Sequence, residues 1–194
     1  MSQSTREMII EEAIGAFAEK GLYGTSLDNV ATRVGLSKQA LLHHFGSKRR
    51  LYAEVIDTLS KLFLQEIEVA QDNRHTAPER LRYVFSHLLA VTQREERATT
   101  LLVRELLDNH DRTQDVERWS LKPFLLLLSD LVLAAHSWPE SRRVEALARV
   151  YAALGVINYF AISAPTLRHM FGETDFERWK IAQGEELLRV VEVD

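Results

Sequence analysis

Between Thr25 and Lys48 the chain gathers side chains suited to one kind of chemistry, gripping an anion and reading the hydrogen-bonding edges beside it. Ser37, Lys38, Gln39, His43 and His44 lie within eight residues of one another, and Thr25, Ser26 and Lys48 flank them. A helix start leaves backbone N–H groups unpaired and carries the positive end of the helix dipole, which together attract phosphate oxygens. Gly46-Ser47-Lys48 has that form with an ammonium alongside, and Thr25-Ser26 has it ahead of Leu27. Gln39 has both the donor and the acceptor needed to bond adenine at two points. The seven His residues and the run Asp108-Asn109-His110-Asp111 suggest a metal or acid–base site, but that run falls at a predicted helix end, where such residues are common. With no HExxH, Gly-rich phosphate loop or GxSxG, the sequence offers no catalytic, metal-binding or cofactor-binding set and reads as a non-enzyme.

Charge is divided along the chain. Residues 1–52 carry seven Lys/Arg against five acids, a net of +2, whereas the whole chain is −4. Residues 29–53 hold five cations and no acid. Such asymmetry suits either an anionic partner at one end or a solvated basic face. The absence of cysteine excludes disulfides, thiol catalysis and Cys-ligated zinc. At 194 residues with 46% hydrophobic content the chain can bury one or two cores. Met1 to Glu7 lacks the basic-then-apolar order of an export signal. The apolar stretches 124–128 and 152–162 fall short of the roughly 18–20 residues needed to cross a bilayer, and they predict buried helix and no membrane partner. Cytoplasmic residence fits these features.

The elements that must position the anion-gripping residues are all helical. Ser4 and Glu7 form a capping box before Ile10, Ala13, Ile14 and Phe17, with Gly21 closing the first helix. Thr25 or Ser26 caps a short second helix that Gly35 stops. Ser37 starts a third, to about Phe45, and Ser47 a fourth, to about residue 73. Further apolar periodicity predicts a helix behind Pro78 and others at about 98–109, 115–137, 140–163 and 175–192. Pro123 should kink the second of these four or mark its true start, and residues 137–139 break it from the next. The prediction is all-α: an N-terminal three-helix helix-turn-helix domain over 1–50, joined by a long helix to a C-terminal bundle within 51–194.

Residues 27–46 have helix-turn-helix spacing. Ala31 is small where two helices approach, Gly35 permits the turn, and Leu27, Val30, Val34, Leu36 and Leu41 are apolar where both face a core. Starting the second helix of the pair at Ser37 turns Lys38, Gln39, Leu42 and His43 outward, as groove reading requires. The same spacing also suits a plain helical hairpin that no longer touches DNA.

The first 52 residues resemble the DNA-binding domain of the TetR (tetracycline-repressor) family of bacterial transcriptional regulators. Gly21, Thr25, Ser26, Leu41, His44, Phe45, Lys48 and Leu51 fill the positions of that family's G-x-x-x-T-S/T and L-Y-x-H-F-x-x-K-x-x-L patterns. Leu42 departs from it, standing where the family usually has a phosphate-binding Tyr, and His43 stands where a second aromatic is common.

The resemblance implies a repressor that binds a pseudo-palindromic DNA operator as a homodimer and is released by a small-molecule inducer. It implies DNA contacts from Thr25, Ser26, Ser37, Lys38, Gln39, Leu42, His43, His44 and Lys48. It implies a dimer bundle from the last two helices, for which Ala148, Tyr151, Ala152 and Gly155 offer one seam and Trp179, Ala182, Leu187, Leu188 and Val191 another. Each of these nine serves equally as ordinary core. An inducer pocket would draw on Tyr83, His87, Arg104, Trp119, Phe124 and Asn158, although a buried His is commonly a satisfied core residue and Arg104 can pair with Glu105 or Asp108.

Overall fold

A computed structural model describes residues 4–70, 76–108 and 121–192. Regular structure among them is helical throughout: α1 (Thr5–Gly24), α2 (Leu27–Arg33), α3 (Lys38–Phe45), α4 (Lys48–Ala70), α5 (Ala77–Arg94), α6 (Glu96–Asp108), α7 (Leu121–Ala135), a 3-10 turn (Glu140–Arg142) and α8 (Arg143–Val191). The predicted fold class is therefore observed.

Local chemistry accounts for the boundaries. Glu7 N–H donates to Ser4 Oγ at 3.3 Å and Ser4 N–H to Glu7 Oε2 at 2.8 Å, the predicted capping box. Thr76 and Glu79 repeat it at α5, with Pro78 in the first turn. Ser37 Oγ accepts from Ala40 N–H and Ser47 Oγ from Arg50 N–H, opening α3 and α4 where the sequence placed them.

By packing, the described residues form two units. The first comprises residues 4–61 and 97–108. Ile9, Ala13 and Phe17 of α1, Val30 and Ala31 of α2, Leu41 and Phe45 of α3, and Leu51, Tyr52 and Val55 of α4 build its core. The Phe17 and Tyr52 rings meet edge to face at 4.9 Å, an arrangement worth about 0.5–1.5 kcal/mol beyond its buried area. Tyr52 Oη donates to Glu105 Oε2 at 2.5 Å, which gives a carboxylate that is 4% exposed a partner. The unit thus runs past the expected boundary at 50/51 and takes in residues of α6. The motif ends near Leu51, but burial along the continuous helix does not.

The second unit comprises 62–96 and 121–192, with α5, α7 and α8 packed together through Leu81, Val84, Phe85, Leu128, Val132, Ala146, Val150 and Ile157. Arg143 ties the start of α8 to α7: it donates to Ser129 Oγ at 2.8 Å, pairs with Asp130 and grips both oxygens of Glu140. Those hydrogen bonds hold the Glu140 carboxyl below the usual carboxylate range.

Two predictions about this unit need correction. The break expected between 163 and 175 is at Gly172, whose φ is +78°, but the helix expected to end at 163 runs on to it, with Pro165 inside. Residues 152–162 are not wholly buried: Ala153, Leu154, Ile157 and Phe160 face the core, whereas Tyr151, Ala152, Gly155 and Tyr159 are exposed. By length and composition α8 is apolar enough to cross a bilayer, yet its apolar residues divide between a core face and an open face.

The predicted break at 137–139 is a C-terminal cap in which Trp138 N–H reaches Leu133 O at 2.9 Å and Ser137 takes a φ of +51°. Only glycine adopts that conformation without cost. Ser137→Gly is expected to raise stability by about 0.5–1 kcal/mol, seen as an increase in the chemical-denaturation midpoint at unchanged slope.

Candidate nucleic-acid interface

The turn between α2 and α3 is set by Ala31, 1% exposed, whose carbonyl accepts from both Val34 N–H and Leu36 N–H. Gly35, at a φ of +68°, supplies the left-handed step between them. Leu41 and Phe45 anchor the inner side of α3, so Ser37, Lys38, Gln39, His43 and His44 are exposed. The outward face that groove reading requires is present. Leu42 is half-buried, unlike the exposed polar residues around it.

A clamp that the sequence reading missed fixes the far end of α3. Arg6 donates to His44 O at 2.9 Å, lies over the Phe45 ring at 4.5 Å and pairs with Glu54, linking α1, α3 and α4. The only sequence signal was an arginine in the first turn of α1, where the dipole disfavours cations; such a placement needs tertiary partners.

The flanking residues divide. Ser26 is exposed and its side chain makes no capping bond, so its hydroxyl is open. Thr25 is a correction: its side chain is buried and its hydroxyl donates to Ala16 O at 3.0 Å and Gly21 O at 2.7 Å, on the two sides of the Gly21 break in α1. Its hydroxyl cannot also hold a phosphate. Lys48 is half-buried and its ammonium donates to Tyr23 O at 3.3 Å and Thr25 O at 3.1 Å. An ammonium has three protons, so one remains for an anion at the start of α4. Lys38 pairs with Asp28 at 2.9 Å across an exposed surface, a contact worth little and easily exchanged for a phosphate. Arg49 and Arg50, both exposed, stand beside Lys48.

The expected pocket residues divide between the two units. Tyr83 is 51% exposed and stacks on His87 at 6.2 Å. His87 meets Glu66 at 2.7 Å, and Glu66 also accepts from Arg94 at 2.9 Å; hydrogen bonds from these two hold the Glu66 carboxyl below its ordinary range. His87 is thus a satisfied residue of the second unit. Phe124 and Asn158 are half-buried in the same unit, Arg104 belongs to the first, and Trp119 lies outside the described residues. Among the described residues no cluster of three or more His, Asp or Glu is arranged to hold a metal.

The bundle residues also divide. Ala148, Tyr151, Ala152 and Gly155 all lie on the open face of α8, and Trp179 and Ala182 are exposed further along it. Leu187 and Val191 are fully buried by their own chain, which corrects their assignment to an intersubunit surface, and Leu188 is half-buried.

Residues 9–55 match the family model described as bacterial regulatory proteins, tetR family. Among curated relatives, the biofilm operon icaADBC negative transcriptional regulator IcaR of Staphylococcus epidermidis is 26% identical over 46% of this chain and 48% of its own. The transcriptional regulator AcrR of Shigella flexneri is 30% identical over 52% and 47%. The chain spans about half the length of the curated relatives it matches. Among solved structures, a TetR-family regulator from Bordetella parapertussis superposes with a TM-score of 0.75 at 18% identity, covering 98% of this chain and 95% of that one. A TetR-like regulator from Rhodococcus gives 0.71 at 20%, over 98% and 96%. The helix-turn-helix and its flanks match in sequence, and the remaining helices match in fold. Residues 9–55 carry the sequence of a tetR-family DNA-binding domain, and the chain as a whole is similar in fold to TetR-family regulators.

Proposed function

We propose that the protein is a cytoplasmic, sequence-specific DNA-binding repressor that works as a homodimer and leaves a pseudo-palindromic operator when a small molecule binds. The observation that carries this reading is the outward face of α3, where Lys38, Gln39 and His43 are exposed on a helix whose inner side and both ends are fixed. In this reading α3 lies in the major groove, and Ser26 and the start of α4 at Lys48 hold phosphates on either side, setting register while α3 reads bases. The relative named a negative transcriptional regulator supports the direction of control.

Homodimerisation follows from the reading, because half-sites about 34–36 Å apart need two recognition helices held at that spacing. The open face of α8 supplies a self-complementary surface. A ligand would act by preferring the state in which the two helices are wrongly spaced, and can weaken DNA binding only by its differential affinity for the two states. His87, Phe124 and Asn158 are the side chains of the second unit offered to it, and a ligand at His87 would compete with the Glu66 contact.

Selection of duplexes from a random pool by the purified protein tests the reading. The expected result is an inverted repeat, and Gln39→Ala is expected to relax preference at one position per half-site, costing about 1–3 kcal/mol of discrimination there. Recovery of unenriched sequence at every salt concentration would instead favour a hairpin that serves as a protein-interaction module.

A further inference from the structure

We infer that Tyr23 supplies a phosphate-binding hydroxyl that replaces the one missing at Leu42. The inference rests on the DNA-binding reading above. Tyr23 lies in the last turn of α1, past the Gly21 break, and at 70% exposure it is the most open aromatic among the described residues of the first unit. Its phenol has no partner among the described residues, whereas Tyr52 in the same unit is buried and bonded to Glu105.

The backbone beneath Tyr23 is held at the proposed contact edge. Lys48 Nζ bonds the carbonyls of residues 23 and 25, so the backbone that carries the phenol and leads to the open Ser26 hydroxyl is tied to the ammonium that has a proton to spare. Leu42, half-buried and without a polar atom, can offer a phosphate nothing. A rigid phenol on a pinned backbone provides a donor with two rotatable bonds and little entropy to lose on binding.

A neutral hydroxyl differs from a lysine in one measurable way. It releases no counterion, so its loss weakens binding without changing the salt dependence. Tyr23→Phe, which keeps the ring, is expected to weaken binding to selected operator and to random DNA alike by about tenfold per half-site, with an unchanged slope of log affinity against log salt. Adding Leu42→Tyr to Tyr23→Phe is expected to recover most of that loss. Parental affinity in Tyr23→Phe on both DNAs overturns the inference while leaving the DNA-binding reading intact, and a salt slope that falls with the substitution overturns it too. Failure of the parent protein to enrich or bind any duplex sinks the underlying reading instead.

Discussion

Lys48→Glu is expected to weaken binding to operator and to random duplex alike by more than about a hundredfold at low salt, and to make the salt dependence shallower by about one unit of slope per subunit. Two effects combine. The ammonium proton left over from the carbonyls of residues 23 and 25 no longer meets a phosphate, and a carboxylate takes its place at the start of α4. The glutamate also breaks the bonds to those carbonyls. For a half-buried lysine that loss is about 1 kcal/mol, which lowers the melting temperature of a chain this size by about two to four degrees. Lys48→Met separates the contributions, since it removes the charge and the carbonyl bonds but adds no repulsion. It should show the same melting shift, the same loss of slope and a smaller loss of affinity. Unchanged affinity of Lys48→Glu for both DNAs would show that the start of α4 faces no phosphate.

What could be read in advance depended on whether one stretch of chain carried its own answer. The α2–α3 turn did: Ala31, Gly35 and the apolar set from Leu27 to Leu41 specify each other over fifteen residues, and Ser37 caps α3 as its type predicts. Thr25 did not. Two adjacent hydroxyl residues both suit a helix cap, but past the Gly21 break Thr25 turns back onto the Ala16 and Gly21 carbonyls and only Ser26 stays open. The break itself was legible as a glycine, but not its effect four residues on. Arg6 shows the same limit at longer range, since its three partners come from α3 and α4 and no local pattern announces them.

Periodicity had a different blind spot. It reports that one side of a helix is apolar without saying what covers it, so Leu187, Val191 and Ala152 looked alike although the chain buries the first two and leaves the third open. The helix end expected near 163 failed for a related reason: Phe160, Ala164 and Phe176 pack together across it, and the helix continues through the exposed Pro165 despite the lost donor.

Gly155→Arg is expected to convert the protein to a monomer and to lower operator affinity by about 10²–10⁴-fold, the advantage normally gained when the second recognition helix binds intramolecularly. The argument begins with a cost. A glycine inside a helix is about 1 kcal/mol worse than alanine, so one persists where a side chain would collide with something. Within its own chain Gly155 has nothing within 4 Å of where a Cβ would lie. The residues beside it on the same face are Ala148, Ala152 and the exposed Tyr151 and Tyr159, small groups flanked by large ones as a close helix crossing requires. A second copy of α8 is the surface that would need the space, and an arginine there would insert both volume and like charge about the dyad. Because the protomer has room for it, the variant should keep parental helicity by circular dichroism, so loss of the dimer in sedimentation cannot be blamed on misfolding. A Gly155→Arg protein that sediments as a dimer and holds operator with parental affinity would move the subunit contact off this face.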